Sequence, residues 1–155
     1  MEENIVVEEK RNSSVIFGVV GALLGSMIGV ILWILLYNFG YIASISGIVM
    51  VICAIKGYEK FSGEVDKKAL IIILIITIIM VYIATHLSYG VEIYTVFKED
   101  GITIFDGIRS VGSFLSEIPD LKSSFITDLL MGYFFTVLGT FSTFKRIFFS
   151  EKKES

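Results

Sequence analysis

The chain has 155 residues, 54% of them hydrophobic, with a formal net charge of −3 and a mean hydropathy of +0.78. Its apolar residues are gathered in blocks of about 20, the length that crosses a bilayer core of roughly 30 Å, which excludes an ordinary soluble domain. The weak charge argues against nucleic acid as a partner, and a lone Cys53 excludes an internal disulfide framework or a CxxC redox or metal motif.

Residues 1–13 are polar and carry Glu2, Glu3, Glu8 and Glu9, so they are expected as a loosely held tail. The first span is predicted over 14–37. Lys10 and Arg11 precede it as in a signal peptide, but the apolar run is longer than the roughly 7–15 residues of a signal core and reads as a retained span. "NFGY" at 38–41 is turn chemistry, since Asn38 and Gly40 tolerate positive φ. A short second span rich in small residues is predicted over 42–56, followed by the charged stretch "KGYEKFSGEVDKK", read as a loop. Asp66 in that stretch is a candidate N-cap.

The third span, predicted over 69–91, contains "LIIILIITIIMVYIA" and is read as a helix despite its β-branched residues, because a lone strand in lipid leaves its backbone unpaired. Residues 92–124 form the long connection. Within it Ile104, Ile108, Val111, Leu115 and Ile118 repeat at helical spacing, Thr103 and Asp106 make an imperfect capping box, and Pro119 is read as a stop. The expectation is a short amphipathic helix over 104–118 lying in the membrane interface. A fourth span is predicted over 125–148, with a polar tail at 149–155.

The fold expected is therefore an all-α, four-helix transmembrane bundle in a single membrane domain. Four spans put both termini on one side with the loop after span two. That side carries Lys10, Arg11, Lys56, Lys60, Lys67, Lys68, Lys145, Arg146, Lys152 and Lys153, against Lys98, Arg109 and Lys122 opposite. The basic side is the cytoplasmic one, so both termini are expected in the cytoplasm and the helix at 104–118 outside.

The glycines of "GVVGALLGSMIGVILW" fit neither the dinucleotide fingerprint nor the phosphate loop, and no lysine or acceptor hydroxyl follows them. Gly18, Ala22, Gly25 and Gly29 instead fall at steps of four, three and four, on one helical face. Such faces let helix backbones approach closely in lipid. Span two carries Ala43, Gly47 and Ala54, and span four carries Gly132, Thr136, Gly139, Thr140 and Thr143. Trp33, Tyr37 and Tyr41 are expected near the outer interface.

Ionisable groups at membrane depth are few: His86, Glu92 and Asp128. All three fall at similar depth near the outer face, which makes them the candidate ion or proton site, with the metal undetermined. A capping role for Asp128, headgroup water around Glu92 and a tyrosine partner for His86 account for the same residues without a site. No catalytic triad, HExxH or glutamate pair is available from one histidine at these spacings, so no enzyme and no cofactor are expected.

The segments "GALLGSMIGVILW", "GYIASISGI" and "AIKGYEKFSG" resemble a group of small uncharacterised multi-spanning membrane proteins of Gram-positive bacteria. The likeness rests on Gly21, Gly25, Gly29 and Trp33, on 40–43, and on Lys56, Gly57 and Tyr58. It implies a bacterial cell membrane and about four helices, and it transfers no functional residues. The function expected is that of a structural or accessory membrane protein associating through its glycine-rich faces. Its partners are the bilayer and either its own copies or another membrane protein. The alternative is a small oligomeric channel or transporter for ions or small solutes.

Overall fold

The computed structural model describes residues 2–38, 45–63 and 65–151, and all the helices and turns among them are built without a single strand. The helices are α1 (Glu2–Asn38), α2 (Ser46–Ser62), α3 (Lys67–Phe97), α4 (Ile104–Glu117) and α5 (Pro119–Glu151), with a 3-10 turn at Lys98–Asp100. Three stretches are long and apolar enough to cross a membrane: Ser14–Tyr37, Lys67–Asp100 and Pro119–Lys145. Three apolar helices of this length are the mark of a membrane-embedded protein. α2 is not among them; its 17 residues rise only about 26 Å, and its last seven include Lys56, Glu59 and Lys60.

Several boundaries differ from expectation. α1 reaches back to Glu2, where a loose tail was predicted. α2 continues through the predicted charged loop to Ser62, because Gly57 and Tyr58 are part of its contact with α1 and only the outward residues of that stretch are charged. It ends at Gly63, whose φ of 89° suits glycine and whose N–H donates to the Glu59 carbonyl at 2.8 Å. Asp66 caps α3, accepting from the Ala69 N–H at 2.8 Å. α3 runs six residues past the predicted end of its span, to Phe97. Pro119 does not merely stop α4. It holds Ile118 extended and then serves as the first residue of α5, where a missing N–H costs nothing. The turn expected at 38–41 lies, beyond Asn38, outside the described residues, as do Ala43 and residues 152–155 of the tail.

α1 and α2 are antiparallel and touch backbone to backbone. Gly18 lies against Tyr58 and Ser62, Gly21 against the Gly57 carbonyl, Gly25 against the Cys53 carbonyl and Ala54, and Gly29 against Met50. The contact is mutual, since Gly57 sits on the Gly21 carbonyl. Ala22, on the same face, is fully buried among Val51, Ala54 and Tyr58. The Ser14 hydroxyl donates to the Ser62 carbonyl at 2.9 Å and ties the open end of the pair.

α1 and α5 each pack against both α2 and α3. On the α5 side, Gly47 faces the Gly132 carbonyl and Thr136, and Gly139 rests at ordinary contact distance on Ile48 and Val51. Gly132 receives the indole of Trp33, which crosses from α1 over Val81. Trp33 is thus a core residue, 1% exposed, and not the interfacial anchor expected of it; the missing side chain at Gly132 makes its berth. Hydroxyls in these seams turn back on their own helices: Ser26 donates to Leu23, Thr77 to Ile73, Thr85 to Val81 and Thr140 to Thr136. A polar side chain thereby adds bulk without an unpaired donor.

α4 crosses the far end of α3 at a second glycine contact, Gly107 on the Gly90 carbonyl, with Gly90 against Ile108. Of its predicted apolar stripe, Val111 is buried and Ile108 and Leu115 are half-buried, while Ile104 and Ile118 are exposed and Phe105 is 83% exposed. Its start is a complete capping box. The Thr103 hydroxyl accepts from the Asp106 N–H, and the Asp106 carboxylate accepts from the Thr103 N–H at 2.8 Å.

Gly25→Ala places a methyl on the Cys53 carbonyl and is expected to cost about 1–3 kcal/mol. Gly112→Ala meets nothing within 4 Å and is expected to gain about 0.5–1 kcal/mol from helix propensity. Thermal unfolding of the two variants in detergent, shifting in opposite directions, checks this. A second expectation concerns pH. Hydrogen bonds from the Thr103 side chain, then from its backbone, hold the Asp106 carboxyl below its usual 3.8. A depressed value means the cap is fully in force above that pH and is lost as pH falls through the lowered one. Amide exchange should therefore show the first turn of α4 opening on acidification from about pH 6 to about pH 3, and Asp106→Asn should abolish that pH dependence.

Candidate functional site

Where α1, α3 and α5 meet near α4, a row of four polar side chains joins them. The Tyr37 hydroxyl of α1 donates to Glu92 Oε2 of α3 at 2.6 Å. The Tyr89 hydroxyl of α3 donates to Asp128 Oδ2 of α5 at 2.8 Å. The two tyrosine rings are tilted against each other with centroids 5.4 Å apart, and Phe125 abuts Tyr89 edge-on at 5.2 Å. The order is Glu92, Tyr37, Tyr89, Asp128. Tyr89 is buried, Asp128 half-buried and Glu92 exposed, beside a cleft of about 210 Å³ formed with Tyr37, Thr95 and Val96.

Local sequence explains the arrangement. Tyr89 and Glu92 are three residues apart on α3 and so share a face toward α1 and α5. Asp128 projects from α5 where Phe125, one turn earlier, packs against Tyr89. A carboxylate held at this depth requires a donor. Among the described partners the donors are phenols, which bring bulk to fill the helix gap together with one hydroxyl to satisfy the charge.

His86 stands apart from this row. Its Nε2 lies 3.2 Å from the Ile108 carbonyl of α4, to which an N–H there donates, and its ring neighbours Tyr82 at 6.0 Å. The candidate trio of His86, Glu92 and Asp128 is therefore not one cluster. Among the described residues no three histidine, cysteine, aspartate or glutamate side chains are placed to hold a metal ion. The physical reason is facial: His86 is six residues before Glu92 on α3, about 120° round the helix, and turns to α4, while the two carboxylates are drawn to separate tyrosines.

Of the packing residues, Gly18, Ala22, Gly25 and Gly29 face α2; Gly47 and Gly139 form the α2–α5 seam; Gly132 takes Trp33. Sequence reasoning missed two features. From the sequence Tyr37 reads as an interface aromatic and Tyr89 as a neighbour of His86, neither as a donor to a carboxylate, although a membrane carboxylate with no nearby cation calls for one. A second polar locus was hidden inside the segment read as a loop. Between α2 and α5 runs a cleft of about 360 Å³ with Ile48, Ile52 and Gly139 at one end and Lys56, Glu59, Ser142 and Thr143 at the other.

No family model matches the chain, and comparison with curated proteins and with solved structures found no match.

If the phenol–carboxylate pair carries local stability, Tyr89→Phe should lower the unfolding free energy by about 1–2 kcal/mol, because it leaves a half-buried carboxylate without its donor. Adding Asp128→Ala to Tyr89→Phe should restore part of that loss. A double-mutant cycle of Tm values in detergent measures the coupling, and strict additivity would show that the hydrogen bond contributes nothing.

Proposed function

We propose that the chain is a four-crossing protein of the cell membrane with both termini in the cytoplasm, serving as a structural or accessory component and not as an enzyme. In this reading α2 completes the crossings despite its length. α1 and α3 start at the same end of the assembly, Ser14 beside Ser62 and Ala69 beside Tyr58, so the chain between them must return across. The bias of lysine and arginine toward that end supports a cytoplasmic location for it. α4, with Phe105 outward, lies in the opposite interface.

The single observation that carries the structural role is the sealed contact of α1, α2 and α3 in the half of the assembly nearest the termini. Ala22, Val51, Ala54, Ile55, Leu70 and Ile73 close it with buried apolar side chains, leaving the polar row confined to the other half. The glycine faces serve association, and the helices they associate are the chain's own. Partner chains, whether copies or another membrane protein, meet the large apolar side chains that point outward, such as Leu24, Ile28 and Ile31 on α1 and Phe134, Val137 and Phe141 on α5. The alternative, an oligomeric channel or transporter, draws support from the two carboxylates near one membrane face.

Reconstitution in liposomes separates the two. Proton and monovalent-cation flux is expected to equal that of empty vesicles. Flux that falls on Glu92→Gln or Asp128→Asn overturns the structural reading in favour of the conduit. In intact cells, Ser110→Cys should react with a membrane-impermeant maleimide from outside; protection of that cysteine inverts the topology.

A further inference from the structure

We propose that the cleft between α2 and α5 is a binding site for one phospholipid with a primary-amine, zwitterionic headgroup, of the phosphatidylethanolamine class. The inference rests on the membrane reading above, which sets the direction of the bilayer along the helices.

The cleft is graded along its length in the same sense as a phospholipid. Ile48, Ile52, Lys56 and Glu59 fall at steps of four, four and three, one stripe on α2 running from apolar to charged. From Ile48 to Glu59 the helix rises about 16 Å, close to the half-thickness of roughly 15 Å of a bilayer core. The depth is anchored independently. Tyr58, next to Glu59, packs in one cluster with Ala69, where the apolar run of α3 begins after Lys67 and Lys68. Glu59 and Lys56 therefore stand at the headgroup and glycerol levels, and Ile48 near the middle of the membrane. On α5, Ser142 and Thr143 face the charged end, and Gly139, one turn deeper, keeps the floor open. The volume of about 360 Å³ holds a headgroup and the first part of an acyl chain.

The charges choose the headgroup. Lys56 supplies one cation for a phosphodiester, and Glu59, one turn nearer the water, supplies one anion for an ammonium beyond it. That order, cation deeper and anion shallower, mirrors a phosphate and the amine attached outside it. An anionic headgroup without an amine sets its charge against Glu59. A choline headgroup has no N–H to give to Glu59 or to the Ser142 and Thr143 oxygens. The Lys145 ammonium is engaged elsewhere, over the Phe149 ring at 5.8 Å.

The test uses the full-length protein in nanodiscs of equal parts phosphatidylethanolamine, phosphatidylglycerol and phosphatidylcholine, with retained lipids counted by native mass spectrometry. Wild type should retain one phosphatidylethanolamine about fivefold over either competitor, the ratio that one charge pair near a membrane surface supports. Glu59→Gln should bring phosphatidylglycerol level with phosphatidylethanolamine, and Lys56→Gln should lower both. Both side chains are exposed, so these variants keep the fold, as circular dichroism will verify. Ile52→Trp, also at an exposed position, should fill the cleft and lower retention of all three. Equal retention by wild type, a preference for phosphatidylglycerol, or a preference that survives both charge changes overturns the site while leaving the membrane reading intact. Equal occupancy by soluble phosphoethanolamine overturns the assignment to lipid. Failure of the wild type to enter nanodiscs overturns both.

Discussion

Two helix backbones in direct contact set the geometry on which the other elements depend. In lipid there is little solvophobic force between apolar helices, so association rests on dispersion between atoms brought close together. Each pair contributes only about 0.1–0.2 kcal/mol, and the sum is large only when backbones meet along many residues. Gly21, Gly25 and Gly57 permit that approach because none interposes a side chain. The register they impose brings Met50 to Gly29 and Tyr58 to Gly18, which fixes the surface that α1 and α2 together offer to α3. The same device recurs where α4 crosses α3 at Gly90 and Gly107.

Polar atoms are handled in more than one way. The buried hydroxyls of Ser26, Thr77, Thr85 and Thr140 bond to carbonyls of their own helices, so neighbouring helices need supply nothing to them. Carboxylates cannot be satisfied that way and are matched across helices with phenols. Three hydroxyls, those of Ser46, Ser88 and Thr136, are buried without a protein partner among the described residues. They occur in the contacts among α2, α3 and α5, where small side chains fill space between close backbones.

How much was legible in the sequence varies with the range of the information needed. The face formed by Gly18, Ala22, Gly25 and Gly29 follows from spacing within one helix. The cap at Asp66 and the box at Thr103 and Asp106 are likewise local and could be read directly. What occupies the glycine face could not be read, because its partner includes Gly57, in a stretch whose lysines and glutamate made it look like a loop. The composition of that stretch averaged a buried face, Tyr58 included, with a charged one. Similar depth for His86, Glu92 and Asp128 follows from position along the helices. Their separation into two phenol pairs and a lone imidazole depends on the rotation of α3 against α1, α4 and α5, which spacing does not encode.

α2 also bears on how such a chain enters a membrane. On the four-crossing reading, a short helix that turns charged at Lys56, Glu59 and Lys60 gains little from lipid by itself, since its apolar part is brief. α1, by contrast, is long and apolar, and it arrives first with a glycine groove open along one side. On that reading the second helix is recruited by the first and not by the lipid. Insertion becomes a decision taken by the hairpin as a unit, and a change confined to the groove of α1 would alter the topology of a segment that it does not itself contain.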